Sequence, residues 1–278
     1  SLGYSFDLGK STWNGTVDNG TDPDTHRFDP TTKTTLSFSS YFVEALALWK
    51  SYSVFDFHLD NTNPDIIAYN ADTDENIPAP SELPADAVTA RLDQSGNGYG
   101  RAEIVIDNEA NYATDYEYWN WVLIHEIGHA LGLNHPNGNA YDPEYNTDIT
   151  VMSYNIPDGR YAITPMALDI LAIEQKYTSF TYNNGNGDVY SFVSGTALAG
   201  EFSGKKRSQT LVDTGGTGDK IDVSGYRGAE GVTIDLRPSI DENGNWTGSE
   251  TEEGYHSKIG DEYVYIAHNT FIEDAIGT

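Results

Sequence analysis

The sequence predicts an α+β fold in two parts: strands and helices mixed through residue 177, then an all-β part over 178–278. Three observations predict it. Runs with strand alternation and runs with helical spacing interleave through the first part. The stretch HEIGHALGLNH, residues 125–135, sets three of the seven histidines at spacings that need a helix followed by a turn. Beyond Tyr177 the text becomes rich in Gly, Asp and Thr, with short β-type runs and no strong helix.

Residues 39–52 place Val43, Leu46, Ala47 and Trp49 at helical spacing, which predicts an amphipathic helix. Residues 54–60 alternate, with Phe55, Phe57 and Leu59 on one face, and read as a strand. Residues 64–71 and 101–108 read as further strands; 72–100, dotted with Pro and Gly, read as loop. A helix runs from about Thr114 into the histidine stretch. Residues 164–177 predict another, with Thr164 as N-cap and Pro165 at the first helical position. In the second part, 188–193, 210–213, 220–226, 231–236 and 262–268 read as strands.

The 278 residues suffice for a sizeable core, and 38% of them are hydrophobic. No run approaches the roughly eighteen apolar residues of a membrane span. The opening shows no secretory leader, which fits a processed, secreted form. With no Cys, disulfides, thiol nucleophiles and Cys-bound metals are excluded. A net charge of −28 argues against nucleic acid and anionic membrane as partners, because like charges repel. Most of that charge reads as a solvated acidic surface; some carboxylates are candidates to gather divalent cations.

His125 and His129 are four apart, so a helix puts both imidazoles on one face, where they can share one Zn²⁺. On a continued helix His135 would lie about 9 Å further along the axis and point off that face. The helix must therefore stop. Gly132 sits where a left-handed residue lets it do so, and Pro136 opposes continuation. Three histidines then leave a fourth position for water, the mark of a catalytic zinc site. His26, His58, His256 and His268 carry no ligand spacing.

His125-Glu126-x-x-His129-x-x-Gly132-x-x-His135 resembles the metzincin zinc-endopeptidase signature, and Met152 in VMSYN stands where metzincins have their Met-turn. Met152-Ser153-Tyr154 is similar to the Met-turn of the serralysins, secreted bacterial zinc proteases. So are HEIGHALGLNHP, PMALDILAIEQKY, DTGGTGDKIDVSGY and VYIAHNTFIEDAIG, and more loosely SFDLGKSTWNG near the start. The resemblance covers most of the chain from about Tyr112 onward. It implies a metzincin catalytic domain over 1–177, with a twisted mixed sheet, a zinc-bearing helix and a Met-turn. It implies a β-rich, calcium-binding C-terminal domain over 178–278, similar to the start of a serralysin β-roll but without the full repeat array.

On this reading one catalytic zinc is held by His125, His129 and His135. The zinc activates a water and polarises the scissile carbonyl, and Glu126 passes the proton from water to the leaving amine. The resemblance implies that Tyr154 holds the resting metal, then swings away to hydrogen-bond the oxyanion, while Met152 forms an apolar floor. Asp169 is a candidate outer carboxylate, or simply a polar helix residue. The strand before the zinc helix forms the cleft edge in metzincins, which would make Ala102, Ile104 and Ile106 substrate-binding; the alternative is an interior strand.

Residues 184–190 and 213–219 resemble two serralysin loops that clasp one structural calcium, with Asp188, Asp213, Gly215 and Asp219 as candidate ligands. Glu273 matches an acidic ligand of another family calcium site, although Phe271 stands where the family has Thr. One or more Ca²⁺ ions are expected on this basis. The function implied is a secreted, extracellular, bacterial zinc endopeptidase of broad specificity, monomeric and acting on proteins or peptides. The alternatives are a metzincin of another branch with narrower specificity, or a calcium-dependent binding or adhesion module that keeps the zinc fold without turnover.

Overall fold

The computed structural model describes residues 2–6, 39–59, 65–71, 87–91, 102–107, 115–178, 185–192, 206–228, 230–247 and 254–277. The SFDLGKSTWNG resemblance beyond Phe6, His26 and Tyr112 lie outside them. Contacts divide the chain into two units. One comprises Ser1–Lys50, Phe55–Asp115 and Val122–Leu133, the other Ser51–Val54, Tyr116–Trp121 and Asn134–Thr278.

The first unit is built on a five-stranded sheet. Its strands are β1 (Leu2–Phe6), β2 (Phe57–Leu59), β3 (Ile66–Ala71), β4 (Ala87–Arg91) and β5 (Ala102–Asp107). They lie in the order β2-β1-β3-β5-β4, all parallel except β4, which runs antiparallel to β5. From Ala102 to Ile106 every side chain of β5 is buried, as expected of an inner strand covered on both faces. β4 lies within the stretch expected to be loop. In Ala-Val-Thr-Ala-Arg the β-branched Val88 and Thr89 favour a strand and the alanines do not, and pairing of all five residues with β5 decides it.

Helix α1 (Ser39–Ser51) buries Phe42, Ala45, Leu46 and Trp49, spaced i, i+3, i+4 and i+7. Val43 and Ala47, expected on that face, are exposed. The indole N–H of Trp49 donates to the Ile124 carbonyl at 3.0 Å, tying α1 to the next helix.

That helix, α2 (Tyr116–Ala130), passes through both contact units. Val122, Leu123, Ile124 and Ile127 are buried, and so are His125 and Glu126 between them. Only a helix enclosed nearly all round tolerates that pattern, and its polar members then need a purpose. It ends as the sequence predicts. Gly132 has φ 95, the Gly132 amide donates to the His129 carbonyl, and the Leu133 amide reaches back to Gly128 at 2.9 Å.

The second unit carries β6 (Tyr161–Ala162), α3 (Ala167–Lys176), β7 (Val189–Ser191), β8 (Arg207–Leu211), β9 (Lys220–Asp222), β10 (Val232–Thr233), β11 (His256–Ile259), β12 (Glu262–Ile266) and β13 (Asp274–Ile276). Among the described residues every element beyond 178 is a strand. One sheet has the order β10-β11-β12-β8-β6, and so draws strands from both sides of residue 178. A smaller sheet, β13-β9-β7, is wholly parallel. Phe192, Ile221, Val223, Ile259, Val264, Ile266 and Ile272 form a shared core. Helix α3 packs Ala167 and Leu171 against Ile149 and Ile240.

The N-terminus of α3 departs from expectation. The helix begins at Ala167, and its cap is the Asp169 carboxylate, which accepts the Met166 amide at 2.8 Å. The Thr164 hydroxyl instead accepts the Thr210 amide at 2.9 Å, so it bridges to β8.

Candidate metal centre

His125, His129 and His135 lie on one continuous stretch, α2 and the turn that ends it. One ring nitrogen from each falls within 4.8 Å of the others. The rings of His125 and His129 sit 4.6 Å apart at 85°, as one helical turn sets them. His129 Nδ1 lies 2.9 Å from the Leu133 carbonyl oxygen. A carbonyl only accepts, so Nδ1 carries the proton and Nε2 presents its lone pair. Burial pushes the His135 pKa down, which favours the neutral form a metal requires. Three imidazoles, one buried and two half-buried, are a donor set suited to zinc.

Glu126, beside the first histidine, is almost fully buried. Burial pushes its carboxyl up to about 7, against the opposing pull of a hydrogen bond from Thr89. Thr89 Oγ1 lies 2.5 Å from Glu126 Oε2 and 3.0 Å from the Glu126 carbonyl oxygen. No pattern in the sequence singles out Thr89, because it lies in the stretch read as loop.

The turn carrying Met152 is fixed from below. Asp169, buried, accepts the Thr150 hydroxyl at 2.5 Å and the Val151 amide at 2.8 Å, besides the Met166 amide. Burial raises its carboxyl to about 6 despite those three bonds. Thr150 Oγ1 accepts the Met152 amide at 3.0 Å, and Met152 is buried. Asp169 thus clamps the Met152 turn to α3. On the following stretch the Tyr154 amide donates to Ala140 at 2.8 Å. The Tyr154 ring stands 5.1 Å from that of His135, 5.4 Å from Tyr141 and 5.9 Å from Trp121. Nearby, Arg160 and Asp148 form a buried ion pair at 2.6 Å, and the Ser208 hydroxyl also donates to Asp148. Burial opposes the Arg160 charge, and the Asp148 pair more than offsets it.

The expected substrate strand needs correcting. β5 is flanked by β3 and β4, and Ala102, Ile104 and Ile106 are fully buried, so none of them can meet a substrate. Among the described strands the antiparallel edge is β4.

A second group lies away from the histidines. Asp188, Asp213 and Asp219 bring one carboxylate oxygen each within 4.8 Å of one another. Asp188 Oδ2 and Asp219 Oδ2 are buried without a hydrogen-bond partner. Burial raises the Asp213 pKa, and Asp219 and Asp188 raise it further. The two loops touch backbone to backbone: a Cβ on Gly216 would stand 1.6 Å from the Gly185 carbonyl oxygen. Gly215 donates its amide to Asp213 Oδ1 at 3.3 Å. Glu273 stands outside the three-carboxylate group. Its Oε2 accepts the Gly218 and Asp219 amides at 3.1 and 2.8 Å, so it braces the loop. Thr270, one residue before the exposed Phe271, accepts the Asp213 amide at 2.9 Å.

A sheet with an antiparallel edge, a helix ending in a three-histidine turn and a buried methionine turn define a metzincin-type zinc peptidase domain. The matrixin family of M10 peptidases matches residues 20–177, more than half of the chain. Serralysin C of Dickeya chrysanthemi is 32% identical over 184 residues, 58% of this chain and 35% of that protein. Serralysin of Proteus mirabilis is 33% identical over 183 residues, 58% of this chain and 34% of its own length. Metallopeptidase AprA of Pseudomonas marginalis is 29% identical over 221 residues, 69% and 43% respectively. The chain belongs to the matrixin family of M10 peptidases and is of the serralysin type. It spans about a third of the length of the first curated relatives it matches.

Proposed function

We propose that the chain is a zinc endopeptidase that hydrolyses peptide bonds of protein substrates with broad specificity. The observation that carries this is Glu126, a buried carboxylate beside three convergent histidines. A site that only held metal would have no chemical need for it. His125, His129 and His135 would hold the zinc, which when bound polarises the scissile carbonyl and acidifies the attacking water. Glu126 takes that water's proton and returns it to the leaving amine, and its burial raises its affinity for that proton. Tyr154, beside His135, is the proposed fourth ligand of the resting metal and then a donor to the oxyanion. β4 offers an edge to which an extended peptide can pair.

Residues 1–177 act in this reading as the catalytic domain and 178–278 as a β-rich C-terminal domain; the family match ending at 177 supports that boundary. Asp188, Asp213 and Asp219 are the proposed ligands of one structural calcium, supported by two buried carboxylate oxygens with no partner. Secretion and extracellular action of a monomer follow by analogy with the serralysins. The test is casein hydrolysis by the protein beside Glu126→Ala, with zinc measured in both. About one zinc in each and cutting by the wild type alone supports the reading. Zinc in both and no cutting of any of several proteins overturns it.

A further inference from the structure

We propose that Thr89 is a positioning residue for the Glu126 base, a role that rests on the endopeptidase reading. Thr89 is the middle residue of β4, paired with Ile104, and its hydroxyl lies 2.5 Å from Glu126 Oε2. A carboxylate rotates easily about its terminal bond, and either oxygen could take a proton from water. With Oε2 engaged by Thr89, rotation is restricted and Oε1 is left to meet the water. The Thr89 hydroxyl bonds Oε2 and not Oε1.

One hydroxyl serves both states of the base. Thr89 Oγ1 is also 3.0 Å from the Glu126 carbonyl oxygen. A threonine hydroxyl has one proton to give and lone pairs to accept with. When Glu126 is ionised, that proton points to Oε2, where the acceptor charge strengthens the bond. When the carboxyl has taken the water's proton on Oε1, Oε2 is its carbonyl oxygen and still accepts the threonine hydrogen. No proton is gained or lost by Thr89, and no buried polar atom is stranded in either state. Valine has the shape of threonine without the hydroxyl, and so isolates this function.

The experiment compares wild type, Thr89→Val and Thr89→Ser as zinc-loaded full chains on one peptide substrate. It also follows the isotope-labelled carboxyl carbon resonance of Glu126, assigned by its loss in Glu126→Ala. Thr89→Val should lower kcat about 10–100-fold, with KM within about twofold and zinc content unchanged, as loss of base alignment does. Thr89→Ser should recover kcat to within about threefold of wild type, and the resonance should shift in Val but not in Ser. The proposal is overturned if kcat of Thr89→Val stays within twofold of wild type. It is equally overturned if KM rises alone, if Ser rescues nothing, or if the resonance is the same in Val and wild type. Should Thr89→Val not fold, Thr89→Ala takes its place. A wild type that binds zinc and cuts nothing refutes the endopeptidase reading instead, and the resonance alone then decides whether Thr89 holds Glu126.

Discussion

Replacing Asp169 by Ala removes the clamp between the Met152 turn and α3, and the cost can be worked from its contacts. Three donors lose a charged acceptor: the Thr150 hydroxyl and the Val151 and Met166 amides. At about 1.5–3 kcal/mol each, that is roughly 5–9 kcal/mol. Against it stands the cost of keeping a charge buried. The carboxyl pKa rises from 3.8 to about 6, and roughly two units at 1.36 kcal/mol each are worth about 3 kcal/mol. The net loss expected at pH 7 is about 2–6 kcal/mol, or about 5–20 °C in Tm for a chain of this size. The sign with pH is fixed by linkage. A raised acid pKa means that the folded state binds more protons than the unfolded one, so this group's contribution falls as pH rises from about 4 to about 6. The gap between wild type and Asp169→Ala should therefore widen, by up to about 3 kcal/mol, as pH is lowered through that window. Calorimetry or urea unfolding at pH 4, 5, 6 and 7 reads both effects. A loss below about 1 kcal/mol at pH 7, or a gap that narrows toward pH 4, would refute the reasoning.

Asp148→Ala leaves the buried Arg160 guanidinium only the longer bond to the exposed Asp158 at 3.3 Å and should cost about 2–4 kcal/mol; urea midpoints check it, and a loss under 1 kcal/mol counts against the pair. His135→Ala should weaken zinc beyond the roughly 10–100-fold that loss of an outer partner costs, as read by competition with a chelator; unchanged affinity would exclude His135 as a ligand. Calcium at about 100 times its Kd should stabilise the protein by about 2.7 kcal/mol, and Asp219→Asn should abolish most of that; a Tm indifferent to calcium and to EGTA would dismiss the three-carboxylate site.

The metal centre was more legible than the sheet that carries it. His125, His129 and His135 could be placed because helical geometry is local and rigid, and Gly132 adopts the left-handed conformation their spacing demanded. The loop aspartates 188, 213 and 219 were legible for a similar reason: tight turns announce themselves in Gly and Asp. β4 was illegible, since two β-branched residues among alanines do not set Ala-Val-Thr-Ala-Arg apart until β5 pairs with it across the sheet. The misassigned cleft edge followed from that, because an unseen strand leaves its neighbour looking like the edge. Asp169 in place of Thr164 at the start of α3 is a case of tertiary demand: Thr164 was taken up by the Thr210 amide on β8, and no local pattern reveals such a competitor. Thr89 shared the obscurity of its strand.

One hydrogen bond has a bearing on how such a chain can change over time. The carbonyl that orients His129 belongs to Leu133, inside the same turn that reverses the chain toward His135. Where the support of a metal-bound histidine comes from a distant residue, both partners must be kept together. Here the proposed ligand His129 and its support lie in one short word of sequence. Substitutions in the surrounding text can therefore accumulate without asking the two to change in step.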